Sequence, residues 1–104
     1  MILKIGDAAA AEVLEAARWY DADRPGLGDD FVAAVMAAGS QIIANPQAWP
    51  AWPGVGTQSP PVRRYVLRRF PYAVGYQVFD EHIEVMAVAH TRRRPGYWRG
   101  RTGR

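Results

Sequence analysis

The sequence predicts an α+β domain: an N-terminal β-strand, a two-helix hairpin, then a three-stranded antiparallel meander, with the helices on one sheet face. Three observations predict it. Apolar residues recur every three or four positions between residues 7 and 44, and the period changes to two from residue 62 onward. The length of 104 residues suits one hydrophobic core and leaves no room for a second. The whole chain, 1–104, therefore reads as a single domain with a basic tail from about residue 91.

Ile2 to Ile5 is a short apolar run able to add an edge strand. Asp7 stands where a carboxylate can accept from the free N–H groups of a first helical turn. Ala9, Val13, Ala16, Ala17 and Tyr20 follow at helical spacing, with Glu12, Glu15 and Arg18 on other faces, giving a helix over roughly residues 7 to 22. Arg24-Pro25-Gly26 breaks it. A second stripe of Leu27, Phe31, Val35, Ala38 and Ile42 runs until Asn45-Pro46, because the residue before a proline disfavours helix. Residues 45 to 61, rich in Pro, Gly and Trp, read as one long ordered loop, with Trp49 and Trp52 covering one end of the core.

From Val62 the side chains alternate, Arg63, Tyr65, Leu67 and Arg69 against Arg64, Val66 and Arg68. Residues 72 to 79 set Tyr72, Val74, Tyr76 and Val78 against Ala73, Gly75, Gln77 and Phe79. After a tight connection at Asp80-Glu81, with His82 in the turn, Ile83, Val85, Ala87 and Ala89 oppose Glu84, Met86, Val88 and His90. Helices on one face of this sheet leave the opposite face partly open and lined with arginine.

Charge is divided along the chain. Before residue 61 three cations face seven acids; after it ten arginines face three acids, and twelve of the thirteen cations are Arg. Arginine's planar donor fork suits phosphates and carboxylates, so an anionic partner is expected. The absence of cysteine removes disulfides, thiolate metal sites and cysteine nucleophiles, leaving His82 and His90 as nitrogen ligands, too few for a structural zinc site. No stretch is expected to reach the roughly 18 to 20 apolar residues of a membrane span, and no signal segment opens the chain. A cytoplasmic setting without membrane partners fits these features. There is no glycine-rich phosphate loop, carboxylate pair or nucleophilic serine, so no cofactor and no metabolic chemistry are expected.

In their order and spacing, several segments carry a family resemblance. They are Glu15-Ala16-Ala17-Arg18-Trp19-Tyr20, Pro25-Gly26-Leu27-Gly28 with Phe31, Ile42-Ile43-Ala44-Asn45-Pro46, Val62-Arg63-Arg64, Arg69-Phe70-Pro71-Tyr72, and Val88-Ala89-His90 through Arg93-Arg94-Pro95 to Tyr97-Trp98. Over roughly residues 3 to 98 the chain resembles the RelE/ParE toxin superfamily, close to its plasmid-stabilisation or ParE-like branch. The resemblance implies the toxin of a type II toxin–antitoxin pair, neutralised by a cognate antitoxin encoded nearby. It implies one of two targets: DNA gyrase, as for ParE-like members, or ribosome-bound mRNA, as for RelE-like endoribonucleases. A third reading is a non-toxic relative that only binds an antitoxin.

Metal-free RNA cleavage needs a proton acceptor for the 2′-OH, cations for the phosphate and an acid for the leaving oxygen. At the positions resembling the nuclease set, this chain has Ala73 and Thr91 where arginines are expected, and Tyr97 where the tail tyrosine is. If the protein is a nuclease, His90, Arg93 and Tyr97 are the catalytic candidates, His90 because imidazole titrates near neutral pH. For target or anion binding the candidates are Arg64 and Arg68 on one strand face, the run Arg92, Arg93 and Arg94, and Trp98. Tyr97 and Trp98 either pack back on the helices or present a stacking surface. Trp19, Tyr20, Phe31, Phe70, Tyr72 and Tyr76 read as core and framework. An acidic antitoxin segment is expected in the groove between the hairpin and the sheet.

Overall fold

A computed structural model describes residues 1–94 and 96–102. Pro95 of the Arg93-Arg94-Pro95 segment and the last two residues of the basic tail lie outside the described residues. The order is β1 (Ile2–Ile5), α1 (Asp7–Asp23), α2 (Leu27–Ala44), β2 (Arg63–Val66), β3 (Tyr72–Val78) and β4 (His82–His90), closed by a 3₁₀ turn at Arg99–Arg101. The strands form one sheet in the order β1-β4-β3-β2. β2, β3 and β4 make the expected antiparallel meander, while β1 pairs with β4 in parallel, so the sheet is mixed.

The hairpin rests on two glycines and one aspartate. Gly26 takes a left-handed φ of 92°, which a side chain would resist, and Asp21 Oδ1 accepts from the N–H groups of Gly26 (3.2 Å) and Gly28 (2.8 Å). A Cβ on Gly28 would lie 2.4 Å from the Ala17 carbonyl oxygen, so the helices meet here because position 28 has no side chain. The cap of α1 differs from expectation: Gly6 is the N-cap, without a side-chain cap bond, and Asp7 is the first helical residue. Asp7 sits in the first turn, where a carboxylate favours the helix dipole.

Ala9 and Ala16 of α1 and Phe31, Val35, Ala38 and Ile42 of α2 bury themselves against Val74, Tyr76, Ile83, Val85 and Val88. At one end Tyr20, Phe31, Phe70 and Tyr72 meet edge-on or tilted with centroids 4.9–6.2 Å apart, a framework as expected. Trp19 departs from it and is 67% exposed. Among the described residues α2 is the helix long and apolar enough to cross a membrane by composition, with mean hydropathy 1.3 over 18 residues. The sequence reading missed this, because alanines raise its hydropathy without forming a continuous run of large side chains.

The opposite sheet face is covered, contrary to expectation. Trp52, Val55 and Val62 from the long loop and Trp98 from the tail pack with Ala73, Met86, Ala87 and Ala89 into a second buried cluster. The loop is pinned as an added rung: Trp52 N–H donates to the Val62 carbonyl (2.7 Å) and Arg64 N–H to the Pro50 carbonyl (3.0 Å). Trp52 lies so close that a Cβ on Gly75 would stand 2.8 Å from its ring. The face reads as open in the sequence because its own residues are small; they are small to admit two indoles.

Three register expectations also change. β2 ends at Val66, and Arg68 sits in the turn that follows, so Arg64 and Arg68 share no strand face. The Leu67 N–H donates to the Tyr72 carbonyl (2.9 Å), closing the connection to β3. In β4 the register shifts between Gly75↔Ala87 and Tyr76↔Val85, leaving Met86 as an extra residue. The bulge reverses the alternation, so Val88 joins Ile83 and Val85 on the helical side while Met86, Ala87 and Ala89 join the second cluster. β4 also begins one residue early: His82 is a strand residue, stacked on Phe79 (5.1 Å) with Nε2 3.3 Å from Glu84 Oε1.

Candidate functional site

Two surface grooves and the buried junction beside one of them hold most of the residues singled out from the sequence. The junction follows from the mixed sheet. β1 stops at Ile5 whereas its partner β4 continues to His90, so the outer edge of β4 beyond Val85 is met by α1 instead of a strand. Glu12 of α1 fills that role. Its Oε1 accepts from the Val88 N–H (2.9 Å) and from Arg101 Nη1 (3.0 Å), and its Oε2 accepts from the Tyr97 hydroxyl. Arg101 also donates to the Met86 carbonyl (3.3 Å). One carboxylate thus ties the first helix, the last strand and the tail together.

Burial pushes the Tyr97 hydroxyl well above the usual tyrosine range, and its bond to Glu12 raises it further; the nearby Arg101 and Arg93 only partly oppose this. Burial works against the Arg101 charge, but the Glu12 carboxylate more than offsets it and the guanidinium is held charged. Arg93 and Arg101 lie 4.0 and 5.0 Å from the Tyr97 ring centroid.

The first groove, about 600 Å³, opens beside this junction between α1 and the end of β4. Glu12, Glu15, Trp19, Tyr72, His90 and Arg93 are among its lining residues. His90 Nδ1 accepts from the Arg92 N–H (3.1 Å), and its ring meets Tyr72 edge-on at 5.3 Å. The Tyr72 hydroxyl is raised by burial, then by the neighbouring Tyr20, Glu15 and Glu12. The second groove, about 570 Å³, lies between α2 and β2 and is bordered by Ala34, Ala37, Gln41, Tyr65, Arg68 and Arg69. Trp49 rests on Tyr65 there (4.8 Å), and Arg63 donates to the Trp49 carbonyl (2.6 Å).

The structure therefore brings His90, Arg93 and Tyr97 to one end of β4. The tyrosine hydroxyl is spent as a donor to Glu12, and two carboxylates line the groove where a phosphate would have to sit. Ala73 is buried in the second cluster and Thr91 is exposed beyond β4. Of the anion-binding candidates, Arg92, Arg93 and Arg94 are exposed, Arg64 lies over the Trp52 ring (5.8 Å) and Arg68 borders the second groove. Trp98 is corrected: it is 0% exposed, 5.4 Å from Trp52, so it is core and presents no stacking surface. No group of three or more His, Cys, Asp or Glu able to hold a metal occurs among the described residues.

Glu12 and Arg101 were not found from sequence as a unit, and Trp52, expected over one end of the core, covers the opposite sheet face. Glu12 stands off the apolar stripe of α1, and its ion-pair partner is 89 residues away, beyond the reach of any local pattern. The signal that was present is the run of small residues Ala73, Gly75, Ala87 and Ala89 on one sheet face, which asks for large side chains from elsewhere.

The domain is thus a helical hairpin on a mixed four-stranded sheet, with the tail locked to the first helix. The family model described as "ParE toxin of type II toxin-antitoxin system, parDE" matches residues 3–95, and the chain belongs to that family. Among solved structures it is similar to a chain of the "Chromosomal ParDE TA system from P. aeruginosa", with a TM-score of 0.61 and 22% identity. The match covers 86% of this chain and 95% of the other. Among curated protein sequences none is similar enough to be a relative.

Proposed function

We propose that this chain is a growth-inhibiting toxin that acts in the cytoplasm by binding a macromolecular target, DNA gyrase, and that a cognate antitoxin neutralises it. Membership of the ParE family supports the toxin–antitoxin setting. The observation that carries the choice of a binding mode over RNA cleavage is the Tyr97–Glu12 bond. With His90 as the proton acceptor, Tyr97 would have to be the acid for the leaving oxygen, and its hydroxyl could serve so only by abandoning Glu12, while Glu12 and Glu15 line the groove beside His90 where a phosphate would sit. Positions 73 and 91, occupied by Ala and Thr, supply no cation either.

The test is induction of the chain in bacteria lacking the antitoxin, with plasmid topology and messenger ends read from the same culture, followed by gyrase supercoiling with purified protein. Growth arrest with altered supercoiling and intact messages is the expected result. Messages cut at ribosomal A sites, with cutting abolished in His90→Ala, would replace this reading with the nuclease one. Arrest-free growth with folded protein would leave a non-toxic antitoxin-binding relative.

A further inference from the structure

We propose that the end of the sheet where β2 and β4 stop is a docking surface for the phosphate backbone of duplex DNA, held by Arg68, Arg92 and Arg94. The inference rests on the gyrase reading in one respect: the duplex is then the segment that gyrase itself holds.

Position comes first. The turn after β2 and the turn after β4 lie side by side, because the Thr91 N–H donates to the Pro71 carbonyl (2.8 Å) and Tyr72 pairs with His90 at the end of the ladder. Arg68 stands in the first turn, and Arg92 and Arg94 follow β4 into the second. With β3 between them, β2 and β4 end about 10 Å apart at the backbone, since adjacent strands are spaced by about 5 Å. Long side chains leaving both turns can therefore reach neighbouring phosphates of one duplex, which carries a charge for about every 1.7 Å of its axis.

The other described arginines after Val62 already have partners in the fold. Arg63 donates to the Trp49 carbonyl, Arg99 to the Val55 carbonyl and Arg101 to Glu12. Arg64 lies over Trp52, Arg69 pairs with Asp30 and Arg93 covers the Tyr97 ring. The guanidinium groups of Arg68, Arg92 and Arg94 have no hydrogen bond, ion pair or ring contact among the described residues, and all three residues are exposed. The cations that the fold leaves unused thus fall together at one end of the sheet. Their surroundings select the partner. A peptide that folds on binding needs apolar surface to bury, but Leu67 and Phe70, the large apolar residues of the first turn, are buried already. A polyanion needs only cations near its own charge spacing, and guanidinium forks suit phosphate oxygens. The adjoining α1/β4 groove carries Glu12 and Glu15, which repel phosphates, so the duplex lies across the sheet end and not in that groove.

The probe is a fluorescently labelled DNA duplex of about 20 base pairs, titrated with the whole chain between about 50 and 200 mM salt. The logarithm of the affinity should fall against the logarithm of salt with a slope of about −3, close to one unit for each arginine. Arg68→Gln, Arg92→Gln and Arg94→Gln should each reduce that slope by about 1, and the triple variant should bind about tenfold or more weakly. Lys4→Gln removes the same charge from the edge strand β1 and should leave the slope unchanged. The substituted side chains are exposed, and circular dichroism verifies each variant's fold. No binding at low salt, or an unchanged slope in the triple variant, would overturn the proposal. An RNA duplex bound about tenfold tighter than DNA would overturn it in favour of RNA, and displacement of the duplex by polyglutamate at equal charge concentration in favour of an acidic protein. Growth arrest is measured in parallel. DNA binding without arrest would sink the toxin reading and leave this surface standing; arrest without DNA binding would do the reverse.

Discussion

The two faces of the sheet are both dry, but they are covered by different kinds of chain. Helices cover one, with apolar residues at a fixed period; a proline- and glycine-rich loop and the tail cover the other, with two indoles set among small residues. Periodic cover announces itself in a sequence, because one helical face repeats every 3.6 residues. Aperiodic cover leaves only its complement, Ala73, Gly75, Ala87 and Ala89, and a set of small residues is as easily taken for an empty face. The difference teaches that a sheet face lacking large side chains is not thereby solvent-facing.

The comparison can be broken by truncating one large side chain on each face. Phe31→Ala and Trp98→Ala each remove a fully buried ring, and each is expected to cost about 3–5 kcal/mol in denaturant unfolding. Equal losses make the tail-covered face a true half of the core. A cost under about 1 kcal/mol for Trp98→Ala would mean the tail peels away before global unfolding.

A second cut falls on the join between the faces. Glu12 accepts from Val88, Tyr97 and Arg101, and its side chain is 14% exposed. Replacing it with Ala strands three donors, and about 2–3 kcal/mol of stability should be lost, with proteolysis of the tail appearing first. Gly75→Val is gentler, at about 1–3 kcal/mol, since the new side chain must displace the Trp52 ring. Its signature should be a change in tryptophan fluorescence with the helical circular dichroism intact.

Legibility follows the same division. Both helices, the hairpin break, the β1 strand and the β2–β4 meander follow from local period and from proline and glycine placement. The shortened β2, the bulge at Met86 and the parallel pairing of β1 do not, because each is set by contacts between residues far apart in the chain. Of the site, His90 and Arg93 were found on strand-end and charge grounds and do share a groove. Trp98 was placed in the target surface because a tail aromatic beside arginines looks the same whether it points out or in; its packing on Trp52 within the second cluster decides it. Glu12 could not be weighed at all without knowing that β1 ends opposite Val85, three residues before the Val88 N–H needs a partner.

Alkaline titration sharpens the join further. Tyr97 is raised in the folded state, so between the unfolded tyrosine value near 10 and the folded one the native chain holds a proton that the unfolded chain releases. Stability from this group is fully present below about pH 10 and falls as pH rises, by at most about 1.4 kcal/mol per pH unit. Tyr97→Phe should lower stability at neutral pH by about 1 kcal/mol and flatten the decline between about pH 10 and 11. An unchanged alkaline slope would assign the decline to Tyr20, Tyr72 and Tyr76, which burial also raises, and would remove Tyr97 from the lock.

The smallest expected effect lies at the rim of the helix-covered face. Arg69 and Asp30 join the turn after β2 to the start of α2, yet their side chains are 56% and 49% exposed, and water screens most of their attraction. Arg69 also lies 5.1 Å from the Phe70 ring, a contact its stem keeps without Asp30. Asp30→Ala should therefore change stability by less than about 0.5 kcal/mol at moderate salt, with no salt dependence left to lose. A destabilisation as large as that of Gly75→Val would instead make the pair a brace of the hairpin, and the rim would then belong to the core's architecture.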